Sequence, residues 1–371
     1  MQRILIYRIG QLGDTIVALP AMWVIRRHFP KAAITLLCDR HARQSYILAP
    51  DLLQGTPLAD QFEFYEVDDQ ASRVARYSRM ARLLWKLRRQ AFDAVLYLAP
   101  SARTPPQIRR DKAFFSAAGI KRFIGFNGFP DLPRKIDGQP LGATPAESDL
   151  LLARLAADGI SVPKPARGSL DLCLAGDEEQ AVGEWLARLG DDGGRKWVAI
   201  GPGSKMPAKR WPPARFQEVV ARLIQEFDVW PVVFGGPEDK AIGLEFVAGW
   251  GRGFNAAGAL GLRPAAAALQ RCAFYLGNDT GTMHLAASSG RPCVALFSAR
   301  EWPGMWSPYG VDCSILRSQI ECEGCSLATC SERKNECLNR IGVPEVLLAC
   351  SKILANASTK ESALATGSPP S

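Results

Sequence analysis

The feature that most constrains this chain is a junction that recurs along its 371 residues: a short apolar run, a glycine-bearing turn, then a stretch of helix length. RILIYR (Arg3 to Arg8) runs into the turn at Gly10 and Gly13. KWVAIGPG (Lys196 to Gly203) ends in Gly-Pro-Gly, VWPVVFGG (Val229 to Gly236) in two glycines, and AFYLGND (Ala273 to Asp279) leads into Asp-Thr-Gly. Apolar runs this short, bounded by turn residues and alternating with amphipathic stretches, predict parallel strands covered by helices. Further strands are expected at Ala33 to Leu37, Phe62 to Val67, Ala94 to Ala99, Arg122 to Phe126 and Pro292 to Phe297. Helices are expected at Thr15 to Phe29, Ala71 to Arg89, Pro106 to Ala118, Glu147 to Asp158, Asp177 to Leu189, Pro213 to Phe227, Glu238 to Trp250, Arg263 to Arg271 and Thr282 to Ser289.

The rhythm stops and restarts. Residues Gly128 to Thr144 are rich in Gly, Pro and Asp and read as a loop, and Pro163 to Gly176 reads as an interdomain connection. The length fits two domains of ~150–200 residues better than one core. The expectation is an α/β protein of two doubly wound, Rossmann-like domains, 1–172 and 173–355, with a cleft between them. The small, polar stretch 356–371 is expected to be a disordered tail. In such folds ligands gather at the carboxyl ends of strands, which directs attention to the turns after Arg8, Ile200, Phe234, Gly277 and Phe297.

Charge is distributed unevenly. Residues 1–170 hold 25 Lys and Arg against 15 Asp and Glu, a net of +10, which leaves −2 for the rest of a +8 chain. A basic half suggests an anionic partner for that half, although a solubilising surface would look the same. The apolar run Ile4 to Tyr7 is too short for a signal peptide or a spanning helix. The protein is therefore expected in the cytoplasm, with contact to a membrane surface left open.

Three turns carry chemistry. In Arg8 to Thr15, Gly10 and Gly13 allow a tight turn, and Asp14 sits where a carboxylate either caps the next helix or accepts a proton from a substrate hydroxyl. The spacing matches neither the dinucleotide fingerprint nor a phosphate loop, and on the residues alone the cap is the stronger reading. In Gly201 to Pro213, Ser204, Lys205, Lys209 and Arg210 follow a strand end and suit a diphosphate. In Leu276 to Phe297, the amides of Thr280, Gly281 and Thr282 open a helix whose dipole favours an anion, and His284 lies in its first turn.

These segments, RIGQLGDTIVALPAMWVIRRHFP, PGSKMPAKRWP, GNDTGTMHLAASSGRPCVALF and WSPYG, in this order, resemble glycosyltransferase family 9, the ADP-heptose:lipopolysaccharide heptosyltransferases and their relatives. The resemblance covers roughly residues 3 to 350. It implies a glycosyltransferase B fold, an acceptor-binding first domain and a nucleotide-sugar-binding second one, and inversion without a metal. It raises Asp14 from cap to general base. It assigns Ser204, Lys209, Glu238, Asp279, Thr280, Gly281 and Thr282 to the donor, ADP-heptose, and Lys205 and His284, read from their turns, are set with them. It gives the basic half an acceptor, an anionic glycolipid of the lipopolysaccharide core or lipid A, met in peripheral contact with the inner membrane. Gly10 and Gly13 in the turn, and Arg73, Arg76, Arg109 and Arg110 on two expected helices, are the residues set against that acceptor.

Cys322, Cys325, Cys330 and Cys337 form a C-x2-C-x4-C-x6-C series. A structural zinc there is the second choice, because the spacing departs from a zinc ribbon; no cofactor is expected. Rival readings are a transferase with a different nucleotide-sugar and a non-catalytic sugar-nucleotide binder. Nucleic-acid binding ranks far behind, since it leaves the three glycine turns unexplained.

Overall fold

A computed structural model describes residues 1–41 and 47–365, and these divide into two compact units. Unit 1 comprises Met1–Leu132 and Pro145–Cys173; unit 2 comprises Pro133–Thr144 and Leu174 onward.

Unit 1 runs β1 (Arg3–Tyr7), α1 (Leu12–Val17), α2 (Leu19–His28), β2 (Ala33–His41), α3 (Ala49–Leu53), β3 (Gln61–Val67), α4 (Arg73–Gln90), β4 (Ala94–Tyr97), α5 (Pro105–Ala117), β5 (Arg122–Ile124) and α6 (Glu147–Ala157). Its sheet is parallel, in the order β3-β2-β1-β4-β5. The chain leaves β1 for β2 on one side and returns on the other at β4, so the switch point lies between β1 and β4. The core gathers Leu5, Leu37, Leu83, Leu87, Val95 and Phe115, with Tyr97 stacked between Tyr7 and Phe126 at 5.5 and 4.2 Å.

The helix expected over Thr15 to Phe29 is two helices. Pro20 lies in the first turn of α2, where its missing N–H costs nothing; inside one continuous helix it would cost a hydrogen bond. Helix α1 also starts earlier than expected, so Gly13 and Asp14 are helical and Gly10 alone makes the turn, at φ +119°. A Cβ at Gly10 would overlap the Asp14 carboxyl group.

Unit 2 runs α7 (Gly176–Leu186), β6 (Trp197–Gly201), α8 (Pro213–Phe227), β7 (Trp230–Val233), α9 (Lys240–Trp250), β8 (Phe254–Asn255), α10 (Leu262–Gln270), β9 (Cys272–Asn278), α11 (Gly281–Ser288), β10 (Cys293–Phe297), β11 (Cys313–Arg317), α12 (Glu336–Asn339) and α13 (Val343–Ala365). Its parallel sheet has the order β11-β10-β9-β6-β7-β8. This is the doubly wound order with its switch point between β6 and β9.

Two expectations need correction. Helix α13 continues through Ala365, so the tail expected from 356 is helical over its first ten residues; 366–371 lie outside the described residues. Segment Pro133–Thr144, assigned to the first domain from sequence, belongs to unit 2. Buried Glu323 accepts the Leu141 N–H at 2.8 Å and faces Lys135 at 3.7 Å. Trp302 donates to the Pro133 carbonyl at 2.7 Å, and Thr144 N–H to Pro303 at 2.8 Å.

Trp211 is fully buried against Phe216, with ring centroids 5.0 Å apart, and its indole N–H donates to the Ile341 carbonyl at 3.1 Å. Trp211→Ala is expected to cost about 3–5 kcal/mol, read as a lowered denaturation midpoint; a shift below ~1 kcal/mol would contradict this packing.

Candidate functional site

The carboxyl ends of the strands flanking each switch point gather the charged side chains. In unit 1, Arg8 follows β1 and is 1% exposed. Its guanidinium donates from Nη1 to the Leu98 carbonyl after β4 at 2.6 Å and pairs through Nη2 with Asp14 Oδ1 at 3.2 Å. Asp14 Oδ2 accepts the Gln11 N–H at 2.9 Å, so the carboxylate does cap α1; it keeps about a quarter of its side chain exposed. The Gly10 N–H donates to Asp39 at 2.9 Å. Behind Arg8 lie two buried charges of α6. Glu147 is 4.0 Å from Arg8 and accepts the Ser101 N–H at 2.9 Å. Arg154 donates to the Ala99 carbonyl at 2.7 Å and covers the Phe129 ring at 4.2 Å. Burial pushes the Glu147 carboxyl up against the pull of Arg8 and Arg154, and lowers Arg154 to about 10. Buried charges of this kind are tolerated only when mutually compensated, so the strand end is held as a unit.

Beside this turn, a cavity of about 350 Å³ is lined by Tyr7, Tyr65, Met80, Leu83, Asp111 and Phe115, with Arg110 among its walls. Asp111 is buried and ties its rim together. It accepts from Tyr97 OH at 2.7 Å and pairs with Arg103 at 3.2 Å and Arg110 at 2.9 Å. Of the arginines set against an acceptor, only Arg110 reaches this cavity. Arg109 is exposed on α5, and Arg73 and Arg76 are exposed on α4.

In unit 2, the turn after β6 carries Lys209 into the loop after β9, where its ammonium lies 2.7 Å from Asp279 and 3.8 Å from Glu301. Asn278, fully buried, fastens the two strand ends: it donates to the Pro202 carbonyl at 2.7 Å and accepts the Trp211 N–H at 3.0 Å. Ser204 is buried, its hydroxyl accepting the Met206 N–H at 3.1 Å. Thr280 precedes α11, and the amides of Gly281 and Thr282 open it. The first amides of a helix have no intrahelical partner and favour an anion. Met283 N–H is already bonded to the Thr280 carbonyl at 3.1 Å.

The double-glycine turn after β7 brings two carboxylates. Glu238 is exposed, and Asp239 accepts the Gly236 N–H at 3.1 Å. A Cβ at Gly203 or Gly235 would overlap Asp239, which explains both glycines. Burial raises the Asp239 carboxyl, with Glu238 adding to the effect and Arg210 and Lys205 opposing it.

The cysteine series supports this site. Among the described residues no three His, Cys, Asp or Glu side chains are grouped so as to hold a metal ion, and none of the ten cysteines is joined in a disulfide. The loop instead braces the Lys209 turn. Ala208 N–H donates to the Ala328 carbonyl at 3.0 Å, and Asn335 to the Pro207 carbonyl at 2.8 Å. Buried Arg300, paired with Glu301, donates to the carbonyls of Ser326 at 2.7 Å and Leu327 at 2.8 Å.

His284 is 4% exposed, and burial lowers it to about 4, with Asp279 opposing and Lys209 assisting. It is a neutral imidazole at pH 7. The unfolded chain takes up this proton near 6.5. Between pH 6.5 and 4 the unfolded state therefore binds more protons, and stability present above 6.5 is lost as pH falls, by up to ~3 kcal/mol. Wild type should lose more melting temperature between pH 7 and 5 than His284→Gln; equal losses would contradict the burial.

Two Rossmann-type units in one chain, each with polar groups at its switch point, place the protein in the glycosyltransferase B fold class. The model of the family described as glycosyltransferase family 9 (heptosyltransferase) matches residues 147–336, and the chain belongs to that family. Its sequence is 37% identical over 132 residues to lipopolysaccharide heptosyltransferase 2 of Salmonella typhimurium, covering 33% of this chain and 36% of that protein. The match thus spans little more than a third of that relative. The fold is shared with a glycosyltransferase family 9 protein of Veillonella parvula (TM-score 0.68, 21% identity, 96% and 97% of the two chains). It is shared also with the ADP-heptose lipopolysaccharide heptosyltransferase II of Escherichia coli (TM-score 0.67, 22% identity, 96% and 100%).

Proposed function

We propose that the protein transfers a heptose, with inversion and without a metal, from ADP-heptose to the inner core of lipopolysaccharide. The observation that carries this reading is the Lys209 ammonium, fixed 2.7 Å from Asp279 at the unit 2 switch point beside the first turn of α11. Lys209 and the amides of Gly281 and Thr282 receive the diphosphate; Asp279 and Glu301 aim the ammonium. Ser204, Lys205, Glu238 and Asp239 line the neighbouring turns and serve the rest of the donor. In unit 1, Asp14 takes the proton of an acceptor hydroxyl as that oxygen bonds to the anomeric carbon. The bond from that carbon to the diphosphate oxygen breaks, and ADP leaves with the electron pair. The cations and amides around the diphosphate neutralise the charge that grows on it.

The relative's lipopolysaccharide substrate and the basic first half support an anionic glycolipid acceptor. Such an acceptor brings the enzyme into peripheral contact with the cytoplasmic face of the inner membrane. Calorimetric titration with ADP, GDP and UDP in the presence of chelator tests the donor assignment. Selective binding of ADP is expected. Preference for GDP or UDP would replace the donor, and no binding by folded protein would favour a non-catalytic role.

A further inference from the structure

Helix α4 presents two apolar faces. One is the ordinary inner face, with Leu83 and Leu87 buried in the unit 1 core. The other points to solvent. Val74, Tyr77, Ala81 and Trp85 follow one another at spacings of three, four and four, and so form a single stripe. Val74, Tyr77 and Trp85 are 79%, 75% and 60% exposed. An outward stripe of this kind stabilises nothing within the fold, since it buries nothing.

Its flanks are cationic. The 18 residues of α4 hold seven Lys and Arg and no Asp or Glu. Lys86 pairs with Glu63, and Arg79 with Glu66 and Asp68, along the inner edge. Among the described residues, Arg73, Arg82, Arg88 and Arg89 have no ion-pair partner. By helical position Arg82 and Arg89 border the stripe on one side and Arg73 on the other, while Arg88 lies past its C-terminal end and donates to the Ala117 carbonyl at 3.2 Å. The Arg89 guanidinium covers the Trp85 ring at 4.6 Å. A large aromatic with one polar edge, ringed by long cationic side chains, matches the headgroup level of a bilayer, where aromatic rings and cations both find favourable partners. The helix is about 27 Å long at 1.5 Å per residue, and its excess charge complements an anionic lipid surface.

We infer that the outer face of α4 docks in the plane of an anionic phospholipid bilayer, with Trp85 and Tyr77 entering the headgroup layer and Arg73, Arg82, Arg88 and Arg89 binding lipid phosphates. This deepens the peripheral contact proposed above by naming the surface and the lipid class. It moves Arg73 from acceptor recognition to membrane docking. It needs neither donor nor acceptor, so its failure leaves sugar transfer to a detergent-dispersed acceptor untouched.

The test is co-sedimentation of the full chain with two kinds of vesicle, phosphatidylglycerol with phosphatidylethanolamine and phosphatidylcholine alone, with no nucleotide or glycolipid present. Binding to the anionic vesicles only, weakening as salt is raised, is expected. Tyr77→Ser with Trp85→Ser should weaken it about tenfold by removing apolar insertion. Arg82→Gln with Arg89→Gln should weaken it about 25-fold, at roughly fivefold per cation. Both double variants change exposed side chains, so unchanged circular dichroism spectra should accompany the loss. Absent binding, equal binding to both vesicle types, or binding indifferent to both double variants overturns the inference. So does a wild-type dimer in solution that the Tyr77→Ser, Trp85→Ser variant dissociates, because the stripe would then cover a second copy.

Discussion

Asp14→Asn is expected to lower the transfer rate by ~10²–10⁴, the range for loss of a general base, while leaving ADP affinity and the fold nearly unchanged. The replacement separates two roles that one carboxylate performs. As a cap, Asp14 accepts the Gln11 N–H at 2.9 Å, and an asparagine oxygen accepts the same bond. Losing a cap costs only ~1 kcal/mol, and that cost appears in stability. As a base, Asp14 needs a carboxylate oxygen to take a proton, which an amide cannot supply. The Oδ1 atom beside Arg8 at 3.2 Å, on a side chain still about a quarter exposed, is suited to this. Steady-state rates beside thermal melts decide the matter. A variant that melts a few degrees lower yet keeps most of its rate would return Asp14 to a cap alone.

The second large effect is at Lys209. Lys209→Met should cost ~10²–10³ in rate through lost stabilisation of the leaving diphosphate. It should also destabilise the protein, because Asp279, with a side chain only 5% exposed, would be left buried without its cation; such an uncompensated charge costs ~3–5 kcal/mol. Adding Asp279→Asn removes that charge. The double variant is therefore expected to regain most of the stability and none of the rate, with ADP binding still weak. Recovery of rate along with stability would mean that Lys209 only neutralises Asp279.

Much of this was legible in the sequence because the strands of a doubly wound sheet are buried on both faces. Such strands read as unbroken apolar runs, and the turns after β1, β6, β7 and β9 fell where those runs ended. Lys209 and Asp279 were named from their turns, and the structure pairs them across 70 residues of chain. The elements that escaped were those whose burial comes from tertiary context. Strand β11 is an edge strand with no fully buried residue, and β8 has two residues. Helix α13 has no counterpart in the sequence reading, which ends the second domain at 355 and reads the polar composition beyond it as a tail, although no Gly or Pro interrupts the chain between Pro344 and Gly367.

The support behind Asp14 was missed for a different reason. Arg8, Glu147 and Arg154 are charged residues at core positions, where a sequence pattern assigns charge to the surface. One signal was present. Glu147, Leu151 and Arg154 stand at spacings of four and three on α6, so two charges share the helical face of a fully buried leucine. At the double-glycine turn the sequence reading chose Glu238. A Cβ at Gly236 would overlap Glu238, and one at Gly203 or Gly235 would overlap its neighbour Asp239, which the sequence reading did not name.

Heptosyl transfer itself is tested most directly by incubating the purified chain with ADP-heptose and a lipopolysaccharide core acceptor lacking the heptose, in chelator, and following acceptor mass and ADP together. The predicted result is one heptosyl residue added to the acceptor for each ADP released, with neither seen for Asp14→Asn. Folded, ADP-binding protein that leaves the acceptor mass unchanged, or that transfers a different sugar in preference, would contradict it.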